Sequence, residues 1–230
     1  MGLDWNPLGK PKSGFEQEFF DLLGQLTEPK AWLQPSPIPH RPIADGQDTK
    51  SLRQRLFSIQ ISPYETLGAP RVGRDPAADA WIRAQYGKAP NRPPSIDDWV
   101  RQFQGYYAIA LVPENDGLPF YSGQPLGGER WTFRAKFLED CLDVLGEPLF
   151  NEAWLNHTPA QTADYGDRLM RLATEYAEAT DTHYVLSSRR VNDAILADNA
   201  SPAHKAHIIA SAARWVAFWS SRGHGMMADY

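Results

Sequence analysis

The residues of this chain best suited to chemistry are four arginines, set in two glycine-bearing loops. The first loop runs Tyr64-Glu65-Thr66-Leu67-Gly68-Ala69-Pro70-Arg71-Val72-Gly73-Arg74-Asp75, immediately before a helix opened by Pro76. The second runs from Asp116 through Phe120, Tyr121, Ser122, Gly123 and Gln124 to Gly127, Gly128, Glu129 and Arg130. It leads into a segment holding Phe133, Arg134 and Phe137. Glycine lets main-chain N–H groups come close to a ligand. A helix start leaves N–H donors free and carries partial positive charge. Arginine adds a planar fork that fits carboxylate or phosphate. Each loop thus has the parts of an anion site. Its expected ligand-binding residues are Arg71, Arg74, Arg130 and Arg134, with Tyr64 and Tyr121 as walls and Gln124 as a polar contact. Local acids (Glu65, Asp75, Asp116, Glu129) compete for the same arginines, and Asp75 at a helix start competes with any anion there.

Three functions follow from these parts. The first is a binding module for a partner protein or a small anionic ligand through residues 64–75 and 116–134. The second is an enzyme acting on a small polar or anionic substrate between those loops. There the arginines orient the substrate, and Glu65, Asp116, Glu129 or His183 transfers protons. The third is a metalloprotein. His204 and His207 are three apart and share one side of a helical turn; by residue type alone, His183, Glu139 and Glu152 are further ligands. Two histidines on the exposed side of a helix are common without metal, and the reading adopted calls for no metal and no cofactor. His224, in Arg222-Gly223-His224-Gly225, reads as a helix end where a cation is favoured by the dipole. Cys141 has Asp140 and Asp143 beside it, which disfavour a thiolate, so a buried structural thiol is expected.

Patterns with known mechanics are missing from the sequence. It contains no Gly-x-x-x-x-Gly-Lys, Gly-x-Gly-x-x-Gly, His-Glu-x-x-His, Cys-x-x-Cys or Gly-x-Ser-x-Gly. With one cysteine in the chain, an intrachain disulfide is impossible. The net charge of −5 argues against a nucleic-acid partner. Residues 1–100 balance at zero, so the excess lies in the remainder; between 139 and 181 ten acids meet only Arg168 and Arg171. These read as solvated helix faces, or else as a docking surface for a cation or a basic partner. No apolar run is long enough to span a membrane. The start, Met1-Gly2-Leu3-Asp4-Trp5-Asn6-Pro7, has neither a basic region nor an apolar stretch, and Asn6 stands where myristoylation wants Ser or Thr. A cytoplasmic protein, with its start tied to the fold by Trp5, is therefore expected.

The elements that must position these residues read as mainly helical. The chain is expected to form a single domain over 1–230, with long Gly/Pro-rich loops and at most a small two-stranded β element. Prolines cluster around Pro35-Ser36-Pro37-Ile38-Pro39, so residues 27–47 read as an extended strap or connector, with Trp32, Leu33 and Ile38 as apolar anchors. Helix starts are expected at Ser13 with Glu16, Asp75-Pro76, Ser95 with Asp98, Thr158-Pro159 with Gln161, and Ser201-Pro202. Their apolar stripes include Phe19, Leu22 and Leu23; Trp81; Trp99 and Phe103; Leu169 and Ala173; and Ile209, Val216 and Trp219. Phe133, Phe137, Cys141 and Val144 suggest another helix, ended by Gly146 and Pro148. Residues 57–61 alternate at period two and suggest a strand. Residues 106–112 form a short apolar run, either strand or buried turn. Trp131 and Trp154 lie beside loops and are the tryptophans available to a pocket or interface.

Overall fold

A computed structural model describes residues 2–27, 38–44, 46–89, 91–112, 132–188 and 198–230. These fall into two compact units, one built from residues up to Pro63 and from 132 onward, the other from 64–112. The chain is mainly α: eight α-helices and only two small two-stranded sheets are formed among the described residues.

In the first unit the centre is a pair of long helices, α7 (Pro159–Ala179) and α8 (Pro202–Ser220). α7 begins with the expected capping box: Gln161 N–H donates to Thr158 Oγ1 at 3.4 Å, and Thr158 N–H donates to Gln161 Oε1 at 2.9 Å. Thus two main-chain donors find acceptors at the helix start. α8 is capped by Ser201, whose Oγ accepts from His204 N–H at 3.2 Å. It is apolar nearly all round and buries Ile209, Ala212, Ala213, Val216 and Trp219, as a helix at the centre of a core must. The two helices approach closely where Gly166 faces Val216; a Cβ on Gly166 would lie 2.7 Å from Val216 Cγ2.

Strand β1 (Asp4–Pro7) pairs antiparallel with β4 (Met226–Asp229), Trp5 opposite Ala228. Trp5 is fully buried, donates from Nε1 to Ala153 O at 2.7 Å, and packs against Phe133, Tyr165 and Trp215. The expected tie at Trp5 is formed. The same pairing explains a departure from expectation. Phe133 does not start a helix: it exchanges N–H···O bonds with Trp5 at 2.8 and 3.0 Å. Helical structure begins only with a 3-10 turn over Ala135–Cys141, followed by α6 (Leu142–Glu152). Gly146 breaks α6 with φ 70°, and helix resumes beyond it through Pro148.

A second cluster of this unit joins α1 (Glu16–Leu26) and α2 (Thr49–Ile59) through Phe19, Leu22, Leu23, Leu52 and Ile59. Ile38 is buried in it, so the one described anchor of the proline-rich segment is seated; Trp32 and Leu33 lie outside the described residues. The capping box expected at Ser13 is not formed. Glu16 accepts instead from Gly14 N–H at 3.2 Å, and Phe15 precedes the helix without a side-chain cap. The strand expected over 57–61 is largely helix, with only β3 (Gln60–Ile61) extended, paired to β2 (Lys10–Pro11). Asp48 caps α2 by accepting from Lys50 and Ser51 N–H, and Leu52, Leu56 and Ile59 then face α1, leaving Phe57 67% exposed.

The second unit holds α3 (Pro63–Thr66), α4 (Pro76–Tyr86) and α5 (Ile96–Gln102). Its core is Val72, Ala78, Ile82, Trp99 and Ala108. Ser95 caps α5 as expected, accepting from Asp98 N–H at 3.1 Å. Residues 106–112 take the turn alternative: Tyr107 forms a single bridge to Arg71, and Ile109–Leu111 is a 3-10 turn.

Candidate functional site

The first arginine loop is described in full. Gly73 holds φ 80°, a left-handed conformation, and a Cβ there would run into the Gln104 amide; glycine is required on both counts. The main-chain donors of residues 71–75 are all taken. Arg71 N–H donates to Asp75 Oδ2 at 2.6 Å, Val72 N–H to Tyr106 O at 2.8 Å, and Gly73 N–H to Asp79 Oδ1 at 2.7 Å. Arg74 and Asp75 N–H both donate to Arg71 O. The expected cradle of free N–H groups is therefore absent from residues 71–75. Asp75 stands at the N-cap position of α4 but braces the loop rather than its own helix.

The guanidinium groups remain. Arg71 Nε donates to Gly105 O at 2.6 Å, and the guanidinium carbon sits 5.1 Å from the centre of the Tyr107 ring. Both terminal nitrogens of Arg71 lack a hydrogen-bond partner among the described residues. Tyr107 is itself fixed, donating from its hydroxyl to Glu65 Oε1 at 2.8 Å and lying 5.2 Å from the Tyr64 ring. Burial pushes the Tyr64 hydroxyl above its ordinary pKa, with Tyr106 adding to the effect, so Tyr64 stays protonated at neutral pH. Arg74 is exposed. Gly105 and Tyr107 were not legible as site residues. They lie more than thirty positions from Arg71, within or beside an apolar run that carries no local sign of pairing.

The remaining expected residues are distributed differently. Arg134 belongs to the first unit and pairs with Asp4 at 3.0 Å. Arg130, Tyr121 and Gln124, with Asp116 and Glu129, lie outside the described residues, as does Trp131. Trp154 packs against Phe150 and Tyr230.

The histidine pair is not on an exposed face. His204 and His207 are both buried. His207 Nε2 lies 3.3 Å from Ser211 Oγ, which in turn accepts from Arg214 Nη2 at 2.8 Å; Arg214 also donates to Leu186 O and Ser188 O. His204 Nε2 lies 4.0 Å from Asp140. The further ligands considered are engaged: Glu152 in a bidentate pair with Arg168 at 2.6 and 2.7 Å, Glu139 with Lys136 at 2.6 Å, His183 near Glu178 at 3.7 Å. Among the described residues no three His, Cys, Asp or Glu side chains gather to hold a metal ion. Burial, then the Arg214 charge, pushes His207 down to about 4. Burial does the same to His224, again to about 4, so it is a neutral ring at physiological pH and not the helix-end cation expected. Cys141 is buried as expected; burial and the neighbouring Asp140 push its thiol up to about 12. No helix among the described residues is long and apolar enough to cross a membrane.

Compared with protein-family models, with curated proteins and with solved structures, the chain matches none.

Proposed function

We propose that this chain is a non-enzymatic binding module that grips a small anionic ligand through Arg71 and Arg74, working in the cytoplasm without a nucleic-acid or membrane partner. The supporting observation is the state of Arg71. Its Nε is tethered to Gly105 O and its face lies over Tyr107, so the side chain is ordered before any ligand arrives. That lowers the entropy lost on binding. Among the described residues nothing takes up the two terminal nitrogens, which keep the end-on donor geometry that suits a carboxylate or phosphate. Arg74, exposed three positions on, supplies a second charge. A buried free thiol fits a reducing compartment, and the net charge of −5 favours neither nucleic acid nor an anionic lipid surface.

Inorganic phosphate serves as the probe. At constant ionic strength it should raise the melting temperature of the wild-type protein; a site filled a hundredfold above its Kd contributes about 2.7 kcal/mol. Arg71→Ala should abolish that rise. Arg130→Ala extends the test to the second loop: a matching loss brings it into the site, and an unchanged rise confines the site to the first. No phosphate-dependent rise in the wild-type protein would remove the proposal.

A further inference from the structure

Side chains leave α2 in three directions, and two of them are used within the fold. Leu52, Leu56 and Ile59 pack into the cluster shared with α1. Arg55 also turns to α1. It grips Glu18 with Nε at 2.7 Å and Nη2 at 2.9 Å, and its guanidinium carbon lies 5.4 Å from the centre of the Phe15 ring. The third direction carries Lys50, Arg53 and Phe57, three and four positions apart, which form one stripe. All three are exposed, and Phe57 is the most exposed large apolar side chain among the described residues. Neither Lys50 nor Arg53 has an ion-pair partner among those residues. The helix contains no acid.

The outer face of α7 has the opposite sign. Its inner side buries Thr162, Tyr165, Leu169, Ala173 and Ala177. Opposite them Asp164, Asp167, Arg171, Glu175 and Glu178 recur every three or four positions, all exposed, as four acids about a single cation. Asp164 is taken by Arg168 Nε at 2.9 Å, and Glu178 lies 3.7 Å from His183 Nε2. Asp167, Arg171 and Glu175 have no ion-pair partner among the described residues. The spacings of the two stripes match. From Phe57 toward the start of α2 the steps are four and three, to Arg53 and Lys50. From Arg171 toward the end of α7 they are again four and three, to Glu175 and Glu178. A parallel register would instead need Asp164, which Arg168 already holds, and would align the two helix dipoles unfavourably. Both helices belong to the first unit, and both stripes are exposed there, so they do not meet within one chain.

We propose that the α2 stripe docks antiparallel on the α7 stripe of a second copy of this chain, with Arg53 on Glu175, Lys50 on Glu178 and Phe57 under the Arg171 guanidinium. Arginine over an aromatic face is favourable. The one cation of the acidic stripe and the one aromatic of the basic stripe thereby meet each other. Ion pairs on exposed helix faces are individually weak, so the contact is of the small, transient class and is sensitive to salt.

Sedimentation equilibrium of the whole chain tests this, at up to about 1 mM protein so that a weak contact is populated. The wild type should self-associate in about 50 mM salt, and about 500 mM salt should weaken the association roughly tenfold or more. Arg53→Glu and Glu175→Arg should each weaken it by about tenfold or more, and the double variant should recover to within about threefold of the wild type. Phe57→Ala should weaken it as well. Asp167→Arg, on the unused half of the stripe, should change it by less than about threefold. All these side chains are exposed, so circular dichroism should show the same helix content throughout, and recovery in the double variant shows that both changes are tolerated. A wild type that stays monomeric, a double variant no better than the single ones, or an equal loss from Asp167→Arg would overturn the proposal. So would a monomeric wild type that binds phosphatidylserine vesicles and loses them in Arg53→Glu, which assigns the α2 stripe to a lipid surface.

Discussion

At the scale of single residues, chemistry is governed by what each side chain already holds. Cys141 shows this most simply. Its thiol is buried, pushed up to about 12, and set 3.8 Å from both Phe137 O and Lys205 O. A thiolate is the reactive species, so the folded protein at pH 8 should leave Cys141 unlabelled by a disulfide reagent, with one equivalent titrating after denaturation. Rapid labelling of the native protein would mean that the 135–141 turn does not cover it. Arg71 is the opposite case. Its stem and Nε are committed to Gly105 and Tyr107, and among the described residues its terminal nitrogens are not committed. The residue type and the neighbouring glycine could be read from the chain, because a positive-φ turn before a helix is a local matter. The tether could not, because its acceptor lies on a segment with no sequence relation to the loop. For the same reason the carboxylate of Asp75 reads as a rival for arginine, when it in fact braces the Arg71 N–H, as Asp79 braces that of Gly73.

Among elements, the contact of α7 with α8 governs the first unit. Gly166 allows it, since any Cβ there meets Val216 Cγ2 at 2.7 Å. Gly166→Ala should therefore destabilise the protein by about 1–3 kcal/mol through overpacking, in spite of alanine's better helix propensity. Val216→Ala should cost about 1–3 kcal/mol by leaving a small cavity. The double variant should lose clearly less than the sum, because each change relieves the other. Urea titrations of the four proteins measure the coupling, and strict additivity would mean that the helices do not meet at this pair. Capping is the most legible feature at this scale: Ser95, Thr158 and Ser201 each accept from a main-chain N–H at the helix start the sequence indicates. Removing one, as in Thr158→Ala, should cost about 1 kcal/mol. What the sequence concealed was set by distant partners. Phe133 is extended because Trp5 pairs with it. Residues 57–59 are helical because Leu52, Leu56 and Ile59 bury together against α1, overriding a short period-two alternation.

For the whole molecule, the buried histidines decide how stability responds to acid. His157, His207 and His224 all have depressed pKa values, with burial the first cause in each. A base depressed in the folded state is neutral in both states above about pH 6.5, where its contribution is complete. As pH falls, the unfolded chain takes up the proton first, and stability is lost down to the folded values, about 4 for His207 and His224. The urea midpoint of the first unit should thus fall steadily between pH 6.5 and 4; a flat midpoint would show that these rings are hydrated. Residues 64–112 contain no histidine, so the unit carrying Arg71 has no such loss from this source, and ligand binding there is separable from the acid response. The binding claim itself meets its most direct measurement in calorimetric titration of inorganic phosphate into wild-type protein and Arg71→Lys at constant ionic strength. Lysine keeps the charge but has neither the fork nor an Nε to tether. The account predicts saturable binding by the wild type, weakened about tenfold or more in Arg71→Lys, a difference of about 1.4 kcal/mol. Equal affinities, or no saturable heat in the wild type, would contradict it.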